Sequence, residues 1–301
     1  MKSKIIAVMG PTAAGKTRVA IELARRFGTE VIGADSMQVY RHMRIGTAAP
    51  TADEIDAAPH HLVEEIEPTR TFSVAEWLDR AVRIIGDMES RGLQPLIAGG
   101  TGLYFRALFE GLFEAPDPDP EIRRKLKERA LAEDLYAELK TIDPEAAKNI
   151  HPNDTYRTVR AIEIYEQTGV PISEHWKNQK PPREFESLRI GLEVNRKKLH
   201  RRINERARKM IDDGLVDEVR ELKTMGIARD SWPMRHFGYK YIWAHIEGEM
   251  ELDEALELLA RDTRRYARRQ LTWFRGVPHI EWFNPGDIDS IIERAENFIA
   301  G

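Results

Sequence analysis

Lys4-Ile5-Ile6-Ala7-Val8-Met9-Gly10-Pro11-Thr12-Ala13-Ala14-Gly15-Lys16-Thr17 is the stretch that decides the fold. Its first part is a short apolar run of the kind buried in a parallel sheet. Its last eight residues fit G-x-x-x-x-G-K-[ST] in full, and residues 17–27 continue as a helical pattern with Val19, Ala20, Leu23 and Ala24 on one side. Strand, glycine loop and helix in this order are the context in which the motif carries meaning. The glycines let backbone N–H groups turn inward around a polyphosphate, and the helix N-terminus adds its partial positive charge. Lys16 supplies a point charge for the outer phosphates, and the Thr17 hydroxyl is a ligand for Mg²⁺.

Outward from this loop, residues 30–34 and 94–98 repeat the short apolar pattern, the first ending at Asp35 and the second at Gly99-Gly100. Residues 73–90 form a long helical pattern with Ser73 as its N-cap. Strands alternating with helices predict a parallel sheet covered on both faces. The pattern changes after Gly111. Ala115-Pro116-Asp117-Pro118-Asp119-Pro120 reads as a hinge, residues 121–180 as helix throughout, and Lys180-Pro181-Pro182-Arg183 as a second break. Residues 188–194 alternate and return as a strand; helices over 196–213, 216–225 and 252–275 and a short strand over 280–283 follow. The expected organisation is a sheet core from residues 1–115 and 183–301, interrupted by a helical domain over 116–182.

Composition narrows the chemistry. At 301 residues the chain can bury a core without staples, and with no cysteine it has no disulfides, thiolate metal sites or cysteine nucleophile. No apolar run reaches membrane-span length, and the apolar stretch near the N-terminus is too short for a signal peptide, so a cytoplasmic protein is expected. The net charge of −4 argues against a general nucleic-acid binder, but charge is locally segregated. Arg196, Lys197, Lys198, Arg201, Arg202, Arg206, Arg208 and Lys209 crowd one segment, with Arg202, Arg206 and Lys209 on a shared helical face. Arg261, Arg264, Arg265, Arg268, Arg269 and Arg275 form a second cluster. Either cluster reads as a phosphate-backbone contact or as a solvated face.

Asp35 ends the second strand. Carboxyl ends of parallel strands line the ligand crevice, so Asp35 is expected to share a cleft with Lys16. A general base, a partner of bound Mg²⁺ and a simple Asx turn are all compatible with that position. His60-His61 lacks a third ligand at metal spacing and reads as structural. His151-Pro152-Asn153-Asp154 reads as a turn leading into an N-cap.

Together these residues resemble the tRNA dimethylallyltransferases, also called tRNA isopentenyltransferases. The resemblance rests on the phosphate loop, Asp35-Ser36-Met37-Gln38-Val39-Tyr40, Ile45-Gly46-Thr47-Ala48, Pro59-His60-His61-Leu62, Gly99-Gly100-Thr101-Gly102-Leu103-Tyr104, His151-Pro152-Asn153-Asp154, Gly238-Tyr239 and Arg269-Gln270-Leu271-Thr272-Trp273-Phe274-Arg275. The chain departs from the family pattern at Ala14, His42, Arg44 and Ala49. The resemblance implies a P-loop NTPase-like α/β parallel sheet core with an inserted all-helical domain that grips the tRNA anticodon stem-loop. It implies transfer of a dimethylallyl group from dimethylallyl diphosphate to N6 of the adenosine 3′-adjacent to the anticodon, in tRNAs reading codons that begin with U. Carried across by position, Asp35, Arg206 and Thr101 are catalytic, and Gly10, Pro11, Thr12, Ala13, Ala14, Gly15, Lys16 and Thr17 hold the diphosphate or a nucleotide. Asp35, Ser36, Met37, Gln38, Thr101, Arg123, Tyr156, Arg157, Thr158, Val159, Arg160, Arg235, His236, Phe237, Gly238, Tyr239 and Lys240 match tRNA contacts. Mg²⁺ is the expected cofactor, with Thr17 as its ligand, and a monomer without membrane association is expected. The competing readings are an adenylate isopentenyltransferase acting on free nucleotides, a small-molecule kinase of the same architecture, and an RNA-binding switch without group transfer.

Overall fold

The computed structural model describes residues 3–113, 116–236 and 238–301. The elements in chain order are β1 (Ser3–Met9), α1 (Lys16–Phe27), β2 (Val31–Ala34), α2 (Arg44–Thr47), α3 (Ala52–Ala57), β3 (His60–His61), α4 (Val74–Ser90), β4 (Leu96–Gly99) and α5 (Gly102–Glu110). There follow α6 (Pro120–Arg129), α7 (Leu135–Ile142), α8 (Pro144–Asn149), α9 (Thr155–Thr168), α10 (Ile172–Lys177), β5 (Phe185–Leu192), α11 (Arg196–Asp212) and α12 (Leu215–Thr224). The last are α13 (Tyr239–Ile246), α14 (Leu252–Arg275), β6 (Ile280–Phe283) and α15 (Ile288–Ala300). The chain divides into two compact units, Met1–Arg106 with Arg183–Gly301, and Ala107–Pro182. The boundary expected at residue 115 lies outside the described residues. The observed division comes earlier because Leu112 already pairs with Lys180 in an antiparallel bridge, which ties that segment to the helical unit.

The first unit is built on one sheet of order β3-β2-β4-β1-β5-β6, parallel at every pairing. The register sets Ala34, Gly99, Met9 and Gly191 side by side, so the loops after β2, β4, β1 and β5 leave from one edge. This is the crevice side of an open α/β sheet. Ile6, Val8, Leu23, Ile190, Leu199 and Ile291 are among the buried side chains of one core cluster. Elsewhere the fully buried Trp77 of α4 donates its indole N–H to Gly33 O at 2.8 Å and stacks on Tyr104, ring centroids 4.5 Å apart. α14 buries Leu259, Thr263, Ala267, Gln270 and Phe274, a three-to-four spacing that carries two polar residues, Thr263 and Gln270, inside with the apolar ones.

Six of these elements, α2, α3, β3, α5, α13 and α15, stand where no element is expected from the sequence. β3 is only two residues long; His60 bonds Ala58 O at 2.7 Å and His61 bonds Glu30 at 2.7 Å. α13 follows Gly238 in a stretch of mixed polarity, whereas α15, after Asp287, sets Ile288, Ile291, Ile292 and Ala295 at helical spacing. Among the described residues no helix is long and apolar enough to cross a membrane.

The second unit packs Leu126, Leu135, Leu139, Ala146, Val159 and Ile162 into its own small core. Aspartates start four of its helices: Asp119, Asp134, Asp143 and Asp154 each accept backbone N–H bonds at an N-cap. Asp143 is buried and does double duty, its second oxygen accepting Ser173 N at 2.9 Å.

Where β2 and β4 meet at the crevice edge there is no room for a side chain. A Cβ on Gly99 would fall on the Ala34 carbonyl. Gly99→Ala is therefore expected to destabilise the protein by about 3 kcal/mol, the upper end for overpacking. Chemical denaturation with an unchanged m-value checks it; a loss below about 0.5 kcal/mol, the usual size for an unconstrained surface site, would contradict it.

Candidate active site

The phosphate loop closes on itself over the edge of β1. Gly15 has φ +104° and Ala13 φ +63°, left-handed conformations that curl the loop back on itself. Lys16 is half-buried, and its ammonium donates to Pro11 O at 2.9 Å across the loop. Burial lowers its pKa to about 8, with the nearby Arg206 adding to the shift and Asp35 opposing it. Arg206, from α11, donates to the Thr12 hydroxyl. Its guanidinium is also pulled down from its ordinary pKa by burial, again opposed by Asp35. Arg202, one turn earlier, lies 3.4 Å from the carbonyls of Ala13 and Ala14.

Gln270 fixes this loop from behind. Its Oε1 accepts Thr12 N at 2.8 Å, and its Nε2 donates to Gly100 O at 2.8 Å. The amide thus bridges the loops after β1 and β4. Tyr266, one turn earlier on α14, hydrogen-bonds Thr101 and Gln270, and burial raises its phenol well above the ordinary value. Thr101 in turn accepts Ser36 N at 3.0 Å and donates its own N–H to Ala34 O, which brings in the loop after β2.

Asp35 heads that loop. Its Oδ1 accepts Met37 N at 2.9 Å and Gln38 N at 3.4 Å, so the Asx-turn reading is satisfied by one oxygen. Among the described residues Oδ2 has no hydrogen-bond partner, which leaves it available to a ligand. Asp35, Lys16, Thr17, Gln38, Lys198, Arg202 and Arg206 line one cavity of roughly 530 Å³. A second cavity, roughly 40 Å³, shares Thr12, Asp35 and Arg206 and has Met37, Ile203, Ala207, Met210 and Leu259 in its wall. The first is large enough for a nucleotide-sized ligand; the second holds only a few waters.

The expected residues separate into groups. Gly10–Thr17, Asp35, Ser36, Gln38, Thr101 and Arg206 gather around the crevice through the contacts above. Lys209, expected on the face of Arg202 and Arg206, points away and pairs with Asp213 at 2.7 Å. In the second basic cluster Arg261 and Arg265 pair with Asp262, and Arg275 pairs with Glu193, so these charges are partly compensated. Tyr239, Met37, Thr158 and Val159 have buried side chains, which removes those side chains from a nucleic-acid surface. Tyr239 instead donates its phenol O–H to Glu218 at 2.7 Å. Gly238 is buried as well, and His236 bonds Trp232 O at 2.6 Å. Arg235 and Lys240 are exposed, while Phe237 lies outside the described residues. In the helical unit Tyr156 is 73% exposed and Arg157 is largely exposed. Arg123 and Arg160 there share Glu163 Oε2, at 2.6 and 2.7 Å. Sequence reasoning gave no role to Gln270, Tyr266 or Glu218, although Gln270 stands in the Arg269–Arg275 stretch that carries the resemblance and is a polar amide on the buried stripe of a helix.

Comparison with known proteins agrees with this architecture. The IPP transferase family model matches residues 38–277, and the isopentenyl transferase model matches residues 3–65. The chain is 45% identical over 304 residues to tRNA dimethylallyltransferase 2 of Syntrophus aciditrophicus, covering 100% of this chain and 98% of that one. It is 43% identical over 304 residues to tRNA dimethylallyltransferase 1 of Citrifermentans bemidjiense, covering 99% and 98%. Among solved structures, the tRNA isopentenylpyrophosphate transferase of Bacillus halodurans has a TM-score of 0.72 at 41% identity, covering 100% of this chain and 96% of that one. A eukaryotic dimethylallyltransferase acting on tRNA has a TM-score of 0.83 at 27% identity, covering 99% and 80%. With a family model matched over most of its length and relatives this similar from end to end, the chain belongs to the IPP transferase family, that of the tRNA dimethylallyltransferases.

Proposed function

We propose that the protein transfers a dimethylallyl group from dimethylallyl diphosphate to N6 of the adenosine 3′-adjacent to the anticodon, in tRNAs reading codons that begin with U. The observation that carries this reading is the single cavity in which a carboxylate with one open oxygen, Asp35, faces the cations Lys16 and Arg206. Such a cavity joins a proton acceptor to a diphosphate cradle. The exocyclic amine of adenosine is a weak nucleophile. As N6 bonds to C1 of the allyl group, the C1–O bond breaks and its electron pair leaves with pyrophosphate. Asp35 takes the proton that N6 must lose, acting as general base. Lys16 and Arg206, with the phosphate loop between them, stabilise the charge that develops on the departing oxygens.

Mg²⁺ is the proposed cofactor, with the Thr17 hydroxyl as its protein ligand. Among the described residues no three histidines, aspartates or glutamates gather into a ready cage. A hard cation that keeps waters and phosphate oxygens around it fits one hydroxyl beside a bound diphosphate. When bound, it would neutralise charge on the leaving group. For the RNA, Ser36, Gln38 and Thr101 are assigned to the target base, and exposed Arg235 and Lys240 to the backbone. The helical unit is assigned to the anticodon stem-loop through Arg123, Tyr156, Arg157 and Arg160; an exposed tyrosine beside arginines suits base stacking and phosphate contact. The target adenosine must leave its stack to reach a recessed carboxylate. We propose that the protein acts as a monomer in the cytoplasm.

Incubation with dimethylallyl diphosphate, Mg²⁺ and unmodified tRNA, followed by nucleoside mass analysis, tests the reading. A prenylated adenosine is expected; its absence, or preferential prenylation of free AMP in competition, would overturn it. Asp35→Ala is expected to lower kcat about 10²–10⁴-fold while tRNA affinity stays within a few-fold. Weak binding with normal turnover of the bound complex would instead make Asp35 a positioning group. Arg206→Ala is expected to raise KM for dimethylallyl diphosphate roughly tenfold or more and to leave tRNA Kd within about twofold. Equal losses on both substrates would move Arg206 to the RNA surface. Lys16 is charged below about pH 8 and neutral above it. The kcat/KM for dimethylallyl diphosphate is therefore expected to fall above about pH 8. Lys16→Arg, which stays charged, should lose that limb; a flat profile in the wild type would contradict the assignment.

A further inference from the structure

One half-buried carboxylate lies outside the phosphate loop and has no part in the steps above. Glu218, on α12, accepts Ile45 N at 2.7 Å on one oxygen and Gly46 N at 3.0 Å on the other. The second oxygen also accepts the phenol O–H of Tyr239 at 2.7 Å. These bonds hold the first amides of α2, a helix of only four residues that could not persist on its own bonds. The fit is tight: a Cβ on Gly46 would collide with the Tyr239 ring. Beyond Gly46 the turn presents two carbonyls to Gln38, whose Nε2 donates to Ala48 O at 2.8 Å and Thr47 O at 3.4 Å. Gln38, Thr47 and Ala48 line the main cavity with Asp35.

An amide carries one donor end and one acceptor end. With Nε2 committed to the turn, Gln38 has its Oε1 left to offer a ligand. Asp35 Oδ2 is also an acceptor. The base-facing part of the cavity is therefore arranged to accept N–H bonds, which suits an exocyclic amine and disfavours a carbonyl in the same place.

We infer that Glu218 is a positioning residue: with Tyr239 it holds the 44–48 turn, and the turn fixes Gln38 as a hydrogen-bond acceptor that selects an amino-bearing nucleobase. This rests on the proposed transfer to an adenosine in tRNA. It also gives Tyr239 a role that its complete burial allows.

The test is a double-mutant cycle of Glu218→Gln and Gln38→Ala, with steady-state kinetics in both substrates. A stem-loop carrying inosine at the target position serves as competitive inhibitor. Glu218→Gln is expected to raise KM for tRNA roughly tenfold, the loss of one or two hydrogen bonds. Its kcat and its KM for dimethylallyl diphosphate should stay within about twofold, because the phosphate loop is untouched. Preference for adenosine over inosine should shrink in each single variant, and the double variant should be no worse than Gln38→Ala alone. Effects that multiply, or equal losses in kcat and both KM values, would overturn the inference. If Glu218→Gln fails to fold, Tyr239→Phe supplies the same comparison with a smaller expected shift. A wild-type protein that prenylates no tRNA would count against the proposed function; a wild-type enzyme that does, with Glu218→Gln indistinguishable from it, would count against Glu218 alone.

Discussion

The arrangement of the crevice depends on one buried amide. Gln270 accepts from Thr12 N and donates to Gly100 O, and so ties the loop after β1 to the loop after β4 from a third element, α14. Its neighbours extend the tie, since Tyr266 reaches Thr101 and Thr101 holds Ser36, next to Asp35. A buried amide with both ends satisfied is rigid, because breaking either bond leaves a polar group without a partner. The proposed base and the proposed diphosphate cradle are on different strands. The sheet register places those strands side by side, and Gln270 with its neighbours locks the loops that follow them.

The electrostatics follow from the same packing. Lys16 and Arg206 both lose hydration in the crevice, Arg206 further disfavours the charge on Lys16, and Asp35 offsets this only in part. Such a site is short of negative charge, and a bound diphosphate would relieve it. The chain as a whole carries −4, which conceals this. Cations from α1 and α11 are concentrated in one cavity, while Arg261, Arg265 and Arg275 of α14 are paired with acids near the surface. Net charge is a statement about the average surface and says little about a recessed site.

Much of the fold was legible because its signals are local. The run from Lys4 to Thr17 contains a strand, a turn with special backbone angles and a helix start, each with its own residue preferences. The short apolar strands ending in Asp35 and Gly99 follow the same rule. What was hidden depends on distant partners. β3 is two residues whose pairing with Val31 and Ile32 is visible only in the sheet. Arg206 and Lys209 share a helical face by spacing, yet Arg206 meets the phosphate loop and Lys209 meets Asp213. Tyr239 resembles a tRNA contact by position, but its phenol is spent on Glu218. In each case periodicity gives the direction of a side chain and tertiary packing decides its partner.

The central claim is that a leaving diphosphate and a proton acceptor meet in one cavity. Crystallography with dimethylallyl S-thiolodiphosphate, which resists ionisation, tests it most directly when a stem-loop RNA is present. The account predicts the diphosphate inside the Gly10–Thr17 loop, in contact with Lys16 and Arg206, and the target N6 on the Asp35 carboxylate at about 3 Å from the allyl C1. Diphosphate bound elsewhere, or an adenine amine turned away from Asp35 in a complete ternary complex, would contradict it.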